Sequence, residues 1–464
     1  MSRHRRVSGL VALLLLAVSP TGAGGAPLPG VREGLDLPAA RVARPVLLAP
    51  PGTAVDVPAL RARVGPLLGD NDLGRHRGFI VYDLSNDRAL WTVGQDRSYI
   101  PASTTKLFTA LAALETIPAD TRFATKVLQS ATSSAPVPRL VLVGGGDPLL
   151  AGEEPAPASG SLPRPATLSA LVRETVRALR ADGTRRVSIG YDASLFAGPA
   201  VNPTWERDYI PGDVVSPISA LWVDQGLGPA ETGERVPDPA LSAAQQFGAA
   251  LAAQGIRVVG SPVAVIAGEA DTELARVESP ALAQIVQYVL EVSDNEGAEV
   301  LLRHVALATG RTASFLGGAA AVREVLAGLG VPQDGVVLYD GSGLSRANRV
   351  TLAALVEIFR RSADPERSLL RGVVTDLPVA GFTGSLAYRF TEPASAAGRG
   401  VARAKTGTLS GVHALAGTTV DVDGTELAFV AIADRVPLRD TLDAREQLDR
   451  IVATLTVCGC AASP

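Results

Sequence analysis

Three short motifs in this sequence combine residue types that could carry out nucleophilic catalysis. They are, in chain order, Ser103-Thr104-Thr105-Lys106, Ser293-Asp294-Asn295 and Lys405-Thr406-Gly407. A serine hydroxyl is a weak nucleophile and needs a nearby base before it attacks a carbonyl carbon. Residues three positions apart share one face of a helix, so the amine of Lys106 can reach the hydroxyl of Ser103. The first motif therefore predicts a serine nucleophile with a lysine base.

The second motif could complete the proton-transfer machinery. A lysine acts as a base only where burial or a neighbouring cation lowers its pKa, and Lys405 could be that cation for Lys106. The hydroxyl of Ser293 can relay a proton, and the side-chain amide of Asn295 can form a hydrogen bond with an amide of the substrate. We therefore expect Ser103, Lys106 and Ser293 to be catalytic and Asn295 to bind substrate.

The third motif indicates how a substrate with a free carboxylate would be held. The hydroxyls of Thr406 and Thr408 can bind the carboxylate, and Lys405 supplies a positive charge. The backbone N–H groups of Ser103 and Thr408 would form an oxyanion hole for the tetrahedral intermediate. We therefore predict that Lys405, Thr406, Gly407 and Thr408 bind substrate.

Lysine is rare in this chain, which makes the positions of the lysines informative. The sequence contains three, Lys106, Lys126 and Lys405, and two of them lie in the two motifs that require one. Each motif alone has a simpler interpretation, because Ser103 or Ser293 could cap a helix and Lys405 could lie on an exposed strand. The conjunction of all three motifs favours the catalytic interpretation.

The three motifs match those of penicillin-binding proteins and serine β-lactamases. The wider sequence resembles the class C low-molecular-mass penicillin-binding proteins, which are D-alanyl-D-alanine carboxypeptidases and endopeptidases of the peptidase S13 type. Besides the second motif, the resemblance rests on Ile100-Pro101-Ala102-Ser103, Leu142-Val143-Gly144-Gly145-Gly146-Asp147-Pro148, Asp340-Gly341-Ser342-Gly343-Leu344-Ser345-Arg346 and Leu377-Pro378-Val379-Ala380-Gly381. It covers most of the chain from about Gly78 to Ala433.

The resemblance implies both a fold and an activity. The expected fold is α/β (α+β), a penicillin-binding-protein or serine β-lactamase-like transpeptidase domain with a module inserted between the first and second motifs. The expected substrates are peptidoglycan stem peptides ending in D-Ala-D-Ala, or cross-links that contain D-Ala. Ser103 would attack the penultimate carbonyl, D-alanine would leave, and water would hydrolyse the acyl-enzyme. β-Lactam antibiotics would acylate the same serine, and no cofactor or metal is expected.

Hydrophobic patterning predicts the elements that position the motifs. A hairpin should lead into the first motif, and Thr167, Asp238 and Ser279 should cap helices, the last two followed by a proline at the helix start. The predicted strands are 79–84, 89–93, 186–191, 256–259, 336–339, 403–406, 413–420 and 427–432. The predicted helices are 104–114, 168–179, 239–254, 280–291, 297–308 and 442–452.

The domain organisation follows from the positions of these elements and from composition. We expect a catalytic domain in two parts separated by an inserted α/β module, and an N-terminal region outside it. The predicted boundaries are 1–26 for a signal peptide, 27–66 for an extended leader, 67–121 and 281–464 for the catalytic domain, and 122–280 for the insert.

Composition and charge exclude some functions and indicate a location. The chain has 464 residues and a net charge of -4, which argues against a nucleic-acid-binding protein. Arg3, Arg5 and Arg6, an apolar run at 10–18 and small residues at 22–26 predict an export signal. We therefore expect an extracytoplasmic protein, in the cell envelope or secreted, whose association with the membrane would be peripheral.

Other candidate sites receive structural interpretations. A Ser-His-Asp triad would have to use His76, His304 or His413, and a structural role is favoured for His413. Ser342 is interpreted as part of a turn, because position 340 is an aspartate where a nucleophile elbow needs glycine. No acidic or histidine pair has the spacing of metal ligands.

Two further features are also interpreted as structural. The glycines of Gly144-Gly145-Gly146-Asp147 are predicted to let a tight turn pack under the insert, because no lysine follows as in a phosphate-binding loop. Cys458 and Cys460 stand two residues apart, where a disulfide would be strained and a zinc site has no histidine. The cysteine pair is predicted to have no catalytic importance.

Two other functions are compatible with parts of the sequence. A serine β-lactamase would use the same acylation chemistry but release the product quickly, and the long insert argues against such a single-domain enzyme. A secreted wall-binding or sensor protein on the same scaffold would need no catalysis, and the complete set of motif residues argues against lost activity.

Overall fold

Two β-sheets with packed helices account for the residues that the computed structural model describes, which are 54–131, 137–154, 163–228 and 234–460. The predicted signal peptide and residues 27–53 of the predicted leader lie outside these ranges. Within them, no helix is both long and apolar enough to cross a membrane.

The helices and strands follow one another in mixed order along the chain. The helices are α1 (Val57–Leu68), α2 (Thr105–Thr116), α3 (Leu168–Ala181), α4 (Pro239–Ala253), α5 (Leu282–Val292), α6 (Asn295–Ala308), α7 (Phe315–Gly328), α8 (Leu352–Ser362), α9 (Gly372–Thr375) and α10 (Thr441–Thr456). The strands are β1 (Arg77–Asp83), β2 (Arg88–Val93), β3 (Ala124–Gln129), β4 (Arg139–Val143), β5 (Arg186–Asp192), β6 (Arg257–Val258), β7 (Val263–Ala264), β8 (Thr272–Glu278), β9 (Arg403–Leu409), β10 (Val412–Val420) and β11 (Glu426–Ala433).

The first sheet joins the two parts of the predicted catalytic domain. Its strands are antiparallel, in the order β2-β1-β11-β10-β9. Successive residues of a strand point to opposite faces, so Ile80 and Val430 pack with α2, α5, α6 and α8. Val81 and Phe429 pack on the other face with α1 and α10. Strand β9, which carries the third motif, lies at the edge of this sheet.

The second sheet lies within the predicted insert and is mixed. Its strand order is β6-β5-β4-β3-β8, with β7 also paired to β5. Helices α3 and α4 pack on it through a separate apolar cluster. Trp205, Tyr209 and Trp222, which lie between β5 and α4, instead pack in the cluster that contains α2. The boundaries of the insert at 122 and 280 therefore stay a prediction.

The structure confirms two of the predicted helix starts and contradicts the third. Thr167 accepts a hydrogen bond from the backbone N–H of Ala170, and Asp238 accepts one from Leu241. The prediction for Ser279 is wrong, because its hydroxyl accepts from the backbone of Phe123 and α5 begins only at Leu282. A hydroxyl already bonded to the backbone just before β3 is not available to cap the helix.

The extended leader is wrong for residues 57–66, which lie in α1. Asp56 caps this helix by accepting a hydrogen bond from the backbone N–H of Ala59, and a proline lies in its first turn, where no helical N–H is needed. Leu60, Val64 and Leu68 are buried against α10 and the first sheet. Packing against these residues, which are distant in the chain, stabilises the helix. Its two prolines make the segment look extended when only the sequence is considered.

Two further local predictions are wrong. Residues 336–339 form no strand, and Val337 makes only an isolated bridge with Arg349. Cys458 and Cys460 are joined in a disulfide, although their spacing argued against one. Both cysteines are buried in the cluster that contains α10, on the face of the first sheet opposite α2.

Candidate active site

Ser103 lies in a single helical turn, Ala102–Thr104, that leads directly into α2. Helical periodicity places Lys106 beneath it, and the amine nitrogen lies 3.0 Å from the serine Oγ. Ala102, just before Ser103, has a φ of 47°, which only a minority of non-glycine residues adopt. The strained turn presents the hydroxyl of Ser103 at the end of a buried helix.

Lys106 is fully buried and has three polar contacts. Its Nζ lies 3.0 Å from Ser103 Oγ, 2.8 Å from Asn295 Oδ1 and 2.8 Å from the carbonyl oxygen of Ser342. Burial lowers the pKa of Lys106 to about 8. A neutral amine has two N–H groups, which the two carbonyl-type oxygens accept, so its lone pair is left to face the serine hydroxyl.

The second motif forms the break between α5 and α6. Ser293 has a left-handed backbone with a φ of 64°, and Asp294 caps α6 by accepting a hydrogen bond from Gly297 N at 2.5 Å. Both ends of the Asn295 amide are engaged within the protein, because Oδ1 accepts from Lys106 and Nδ2 donates to the carbonyl of Val214 at 2.9 Å. The geometry thus links Asn295 to the predicted base as well as to the cavity.

The third motif lies on β9, where Lys405 is fully buried. Its Nζ donates to Ser293 Oγ at 2.8 Å and to the carbonyl of Thr406 at 3.1 Å. Burial, together with the charge of Lys106, lowers the pKa of Lys405 well below its ordinary value. Burial is the main cause of the lowered pKa of Lys106. The positive charge of Lys405, which the sequence suggested as a cause, is therefore not needed to explain that pKa.

The glycine of the third motif allows β9 to pass close to the turn that carries Ser103. A Cβ on Gly407 would lie 2.7 Å from the carbonyl oxygen of Pro101, a distance that real Cβ atoms essentially never show. Thr406 donates a hydrogen bond from its Oγ1 to Ser385 Oγ at 3.0 Å, and Thr408 is exposed. The motif therefore brings one buried amine and two threonine hydroxyls alongside Ser103.

These side chains meet in a cavity of about 340 Å³. Ser103, Ser293, Asn295, Thr406 and Thr408, all predicted from the sequence, lie in its wall, while Lys106 and Lys405 lie buried behind it. The rest of the wall comes from residues that the sequence did not single out for this role, namely Glu206, Tyr209, Val214, Leu344, Leu409 and Ser410.

The Asp340–Gly343 turn supports the site in a way that the sequence did not indicate. The carbonyl of Ser342 accepts a hydrogen bond from Lys106, and the buried carboxylate of Glu299 accepts one from Ser342 N at 2.8 Å. A Cβ on Gly343, whose φ is 88°, would lie 1.9 Å from the carbonyl oxygen of Ala102. Ser342 does lie in a turn, as predicted, and this turn contacts both Ala102 before Ser103 and the amine of Lys106.

None of the described histidines contacts Ser103. His76 bonds to Asp434, and His304 stacks on Phe123 with ring centroids 3.7 Å apart. His413 is buried, and neither ring nitrogen has a hydrogen-bond partner in the part of the chain that the structure describes. Burial lowers the pKa of both His304 and His413 to about 4. The same described residues contain no cluster of side chains that could hold a metal ion.

Comparison of the sequence with protein families identifies one match that spans most of the chain. The family is described as "D-Ala-D-Ala carboxypeptidase 3 (S13) family", and residues 60–235 and 227–455 match it. A carboxypeptidase of Mycobacterium tuberculosis is 32% identical over 98% of this chain and 97% of its own length. A D-alanyl-D-alanine carboxypeptidase of Actinomadura sp. is 30% identical over 80% of each chain. The resemblance inferred from the motifs is confirmed.

Solved structures confirm the fold. The crystal structure of penicillin-binding protein 4 from Haemophilus influenzae superposes with a TM-score of 0.66 at 20% identity, covering 85% of this chain and 98% of that one. The same protein in complex with a novel β-lactam gives a TM-score of 0.62 at 20% identity, covering 83% and 98%. The α+β architecture is therefore that of the penicillin-binding proteins.

Proposed function

This chain belongs to the D-Ala-D-Ala carboxypeptidase 3 (S13) family, and from that premise we propose that Ser103 is the nucleophile of its peptidase reaction. The protein is a hydrolase, a serine-type D-alanyl-D-alanine carboxypeptidase. Its proposed substrates are peptidoglycan stem peptides ending in D-Ala-D-Ala, and an endopeptidase reaction on cross-links containing D-Ala would use the same site.

One observation carries the assignment of residues, the contact between Ser103 and a buried lysine. The Nζ of Lys106 lies 3.0 Å from Ser103 Oγ, and its other two contacts are carbonyl oxygens that can only accept hydrogen bonds. A neutral amine satisfies both acceptors and keeps its lone pair for the serine proton. This is the arrangement that a general base requires, because geometry and pKa both favour proton transfer.

The proposed acylation begins when Ser103 Oγ attacks the carbonyl carbon of the penultimate D-Ala. Lys106 accepts the hydroxyl proton, and the tetrahedral oxyanion receives hydrogen bonds from the backbone N–H groups of Ser103 and Thr408. When the C–N bond breaks, Ser293, which is bonded to Lys405, relays a proton to the departing amine. D-Alanine leaves, and water then hydrolyses the ester.

The third motif supports recognition of a free carboxylate, the feature that defines a carboxypeptidase substrate. Thr406 and Thr408 lie in the cavity wall, and Lys405 is buried behind them, where its ammonium form would supply a positive charge. Gly407 keeps β9 close to the nucleophile's turn. We assign Asn295 a double role, because its amide lines the cavity and also donates to and accepts from protein groups.

The same proposal includes a location and a domain organisation. Residues 1–26 act as an export signal, and the protein works outside the cytoplasmic membrane, with any membrane association peripheral. Residues 57–121, which include α1, and 281–464 form the catalytic domain, and 122–280 form the insert. β-Lactams are proposed as covalent inhibitors because they present a strained amide and a carboxylate to the same groups.

Mass spectrometry after incubation with benzylpenicillin tests the nucleophile. We expect a stable adduct on the peptide that contains Ser103, no adduct on Ser103→Ala, and a normal adduct on the control Ser242→Ala in α4. The Ser103→Ala variant should also fail to release D-alanine from a peptide ending in D-Ala-D-Ala. Intact protein beside hydrolysed penicillin would identify a β-lactamase instead, and intact protein beside intact penicillin would overturn the proposal.

A further inference from the structure

The turn of the second motif holds two neighbouring carboxylates, those of Asp294 and Glu296, that are largely shielded from solvent. Asp294 caps α6, and Glu296, two residues later, is 4% exposed. Burial raises the pKa of both groups, that of Glu296 to about 7, and their mutual repulsion adds to the effect on Glu296. Carboxylates in such a position need hydrogen-bond donors if the turn is to keep one conformation.

The donors come from a segment of the predicted insert. Gln225 directs its Nε2 to both carboxylate oxygens of Asp294, at 3.0 Å each. Arg235 lies 3.2 Å from Glu296 Oε1, in a pair whose side chains are 9% and 5% exposed. The backbone N–H of Ser216 donates to the same Glu296 oxygen at 3.0 Å. Each acidic side chain of the turn is therefore bonded to the described part of this segment, residues 213–228 and 234–235.

Gln225 has an uncommon backbone conformation, and hydrogen bonds to its carbonyl hold it there. Its φ and ψ are 53° and 31°, and the residues on either side, Asp224 and Gly226, also have positive φ. Its carbonyl accepts hydrogen bonds from Ser216 Oγ at 2.5 Å and from Arg235 Nη1 at 3.3 Å. A strained conformation persists only where neighbouring groups determine it, and strain of this kind concentrates at functional sites.

The same segment fixes the orientation of the Asn295 amide. Because the carbonyl of Val214 accepts from Asn295 Nδ2, the amide oxygen must face Lys106. If the amide were reversed, its N–H groups would face the amine and its oxygen would face a carbonyl. One of the two acceptors that leave the lone pair of Lys106 to Ser103 would then be lost.

We propose that Gln225 and Arg235 are positioning residues for the acylation of Ser103. Acting through the two carboxylates, they hold the turn of the second motif so that Asn295 faces Lys106. The proposal rests on the proposed function, and it gives part of the insert a role in catalysis without contact with substrate. It concerns the rate of acylation, and not the affinity for a substrate or a β-lactam.

The substitution Gln225→Glu tests this role, because it keeps the shape of the side chain and replaces its two donors with a carboxylate. The charged groups around position 225 include Asp224 before it in the chain, Asp294 at its amide, Arg235 at its carbonyl, Asp213 and Glu296 paired with Arg235, and Lys106 near Asp294. At pH 8 the new carboxylate repels Asp294, and we expect the saturated rate of acylation by benzylpenicillin to fall about 10- to 100-fold. At pH 5 the protonated Glu can donate again, so the ratio of variant to wild-type rate should rise towards one.

The matched control is Gln246→Glu, which makes the same change on α4, where the amide donates to Ser242 Oγ. It should acylate as the wild type does at every pH. Circular dichroism and the unfolding midpoint establish that each variant is folded under the assay conditions. Should Gln225→Glu not fold at pH 8, Gln225→Ala replaces it, with an expected loss of similar size and no recovery at pH 5.

The outcomes separate this proposal from the proposed function. If the wild type is not acylated on Ser103, the proposed function fails. If the wild type is acylated and folded Gln225→Glu has the same saturated rate from pH 5 to pH 9, the positioning role is overturned. A fall in affinity with an unchanged saturated rate would also overturn it, because the inference assigns Gln225 to the chemical step.

Discussion

The burial of Lys106 makes a quantitative prediction about the pH dependence of acylation. The neutral amine is the active form of a general base, so the rate should rise as pH increases and level off above the pKa. With a pKa of about 8, the neutral fraction is about 0.1 at pH 7, about 0.5 at pH 8 and about 0.9 at pH 9. The rate should therefore rise about fivefold from pH 7 to pH 8 and less than about twofold from pH 8 to pH 9.

An unperturbed lysine would give a different curve. With the ordinary pKa of 10.5, the neutral fraction would rise about tenfold for each pH unit up to about pH 10. The two curves differ most between pH 8 and pH 10, where the buried lysine predicts a plateau. The contrast comes from desolvation, which disfavours the charged ammonium of a fully buried side chain.

The assay is stopped-flow acylation by a chromogenic β-lactam at saturating concentrations, from pH 6 to pH 10. Saturation matters because Lys405, whose pKa is also lowered, would lose its charge as pH rises and weaken the binding of the carboxylate. The saturated rate constant reports the enzyme–ligand complex, so this loss of binding does not distort it. Lys126→Ala provides the control, since the side chain of Lys126 is 36% exposed and pairs with Glu273.

Two results would refute the reasoning about Lys106. A saturated rate that rises tenfold per unit beyond pH 9 would mean that the amine keeps its ordinary pKa despite burial. A rate independent of pH, or a Lys106→Ala variant with an undiminished rate, would remove Lys106 from the role of base.

Two further predictions concern β9, at the edge of the first sheet, and the buried ion pair between Arg389 and Asp449 of α10. Gly407→Ala should lower the saturated acylation rate at least about tenfold, because its Cβ would meet a carbonyl oxygen at 2.7 Å and shift β9 relative to the nucleophile. Gly328→Ala, with no atom within 4 Å of its Cβ, is the control, and equal rates would contradict the steric argument. Asp449→Ala removes the partner of buried Arg389, with contacts of 2.7 and 2.8 Å, and should cost about 3–5 kcal/mol in urea unfolding. Glu324→Gln, in an exposed ion pair, should cost less than about 1 kcal/mol, and a similar cost for both would be the contrary result.

Local sequence patterns predicted the elements that carry the motifs. The hairpin before Ser103, the helix that carries Lys106, the break at the second motif and the last three strands are all found in the structure. Each has a strong local pattern, such as alternation in the strands or helical spacing of apolar residues. The rarity of lysine added an independent indication, because it directed attention to Lys106 and Lys405.

The features that could not be predicted depend on contacts between residues far apart in the chain. Helix α1 is stabilised by packing on α10, and its prolines make it look extended in isolation. The carbonyl of Ser342 meets Lys106 across 236 positions, and Gln225 meets Asp294 across 69. No periodicity or spacing encodes such pairs. The sequence therefore predicted the groups that we propose to react, but not the groups that orient them.

The environment of Lys106 shows why orientation matters as much as its pKa. Burial lowers the pKa of the amine, whereas Asp294, Glu299, Asp340 and Glu296 raise it, and the balance lies at about 8. The hydrogen bonds that Asp294 receives favour its charged form, so they increase the proton affinity of Lys106 and reduce its neutral fraction.

Holding the turn of the second motif therefore has two effects of opposite sign on acylation. The charge of Asp294 makes the base less available at neutral pH, while the fixed turn keeps Asn295 directed at the amine. Replacing Gln225 with alanine would remove its donors and so favour a neutral Asp294 and a neutral Lys106, and on the pKa alone the rate should increase. The expected decrease in rate thus requires that the fixed geometry contributes more to the rate than the neutral fraction of Lys106 does. In this respect a preorganised site differs from a collection of groups with suitable pKa values.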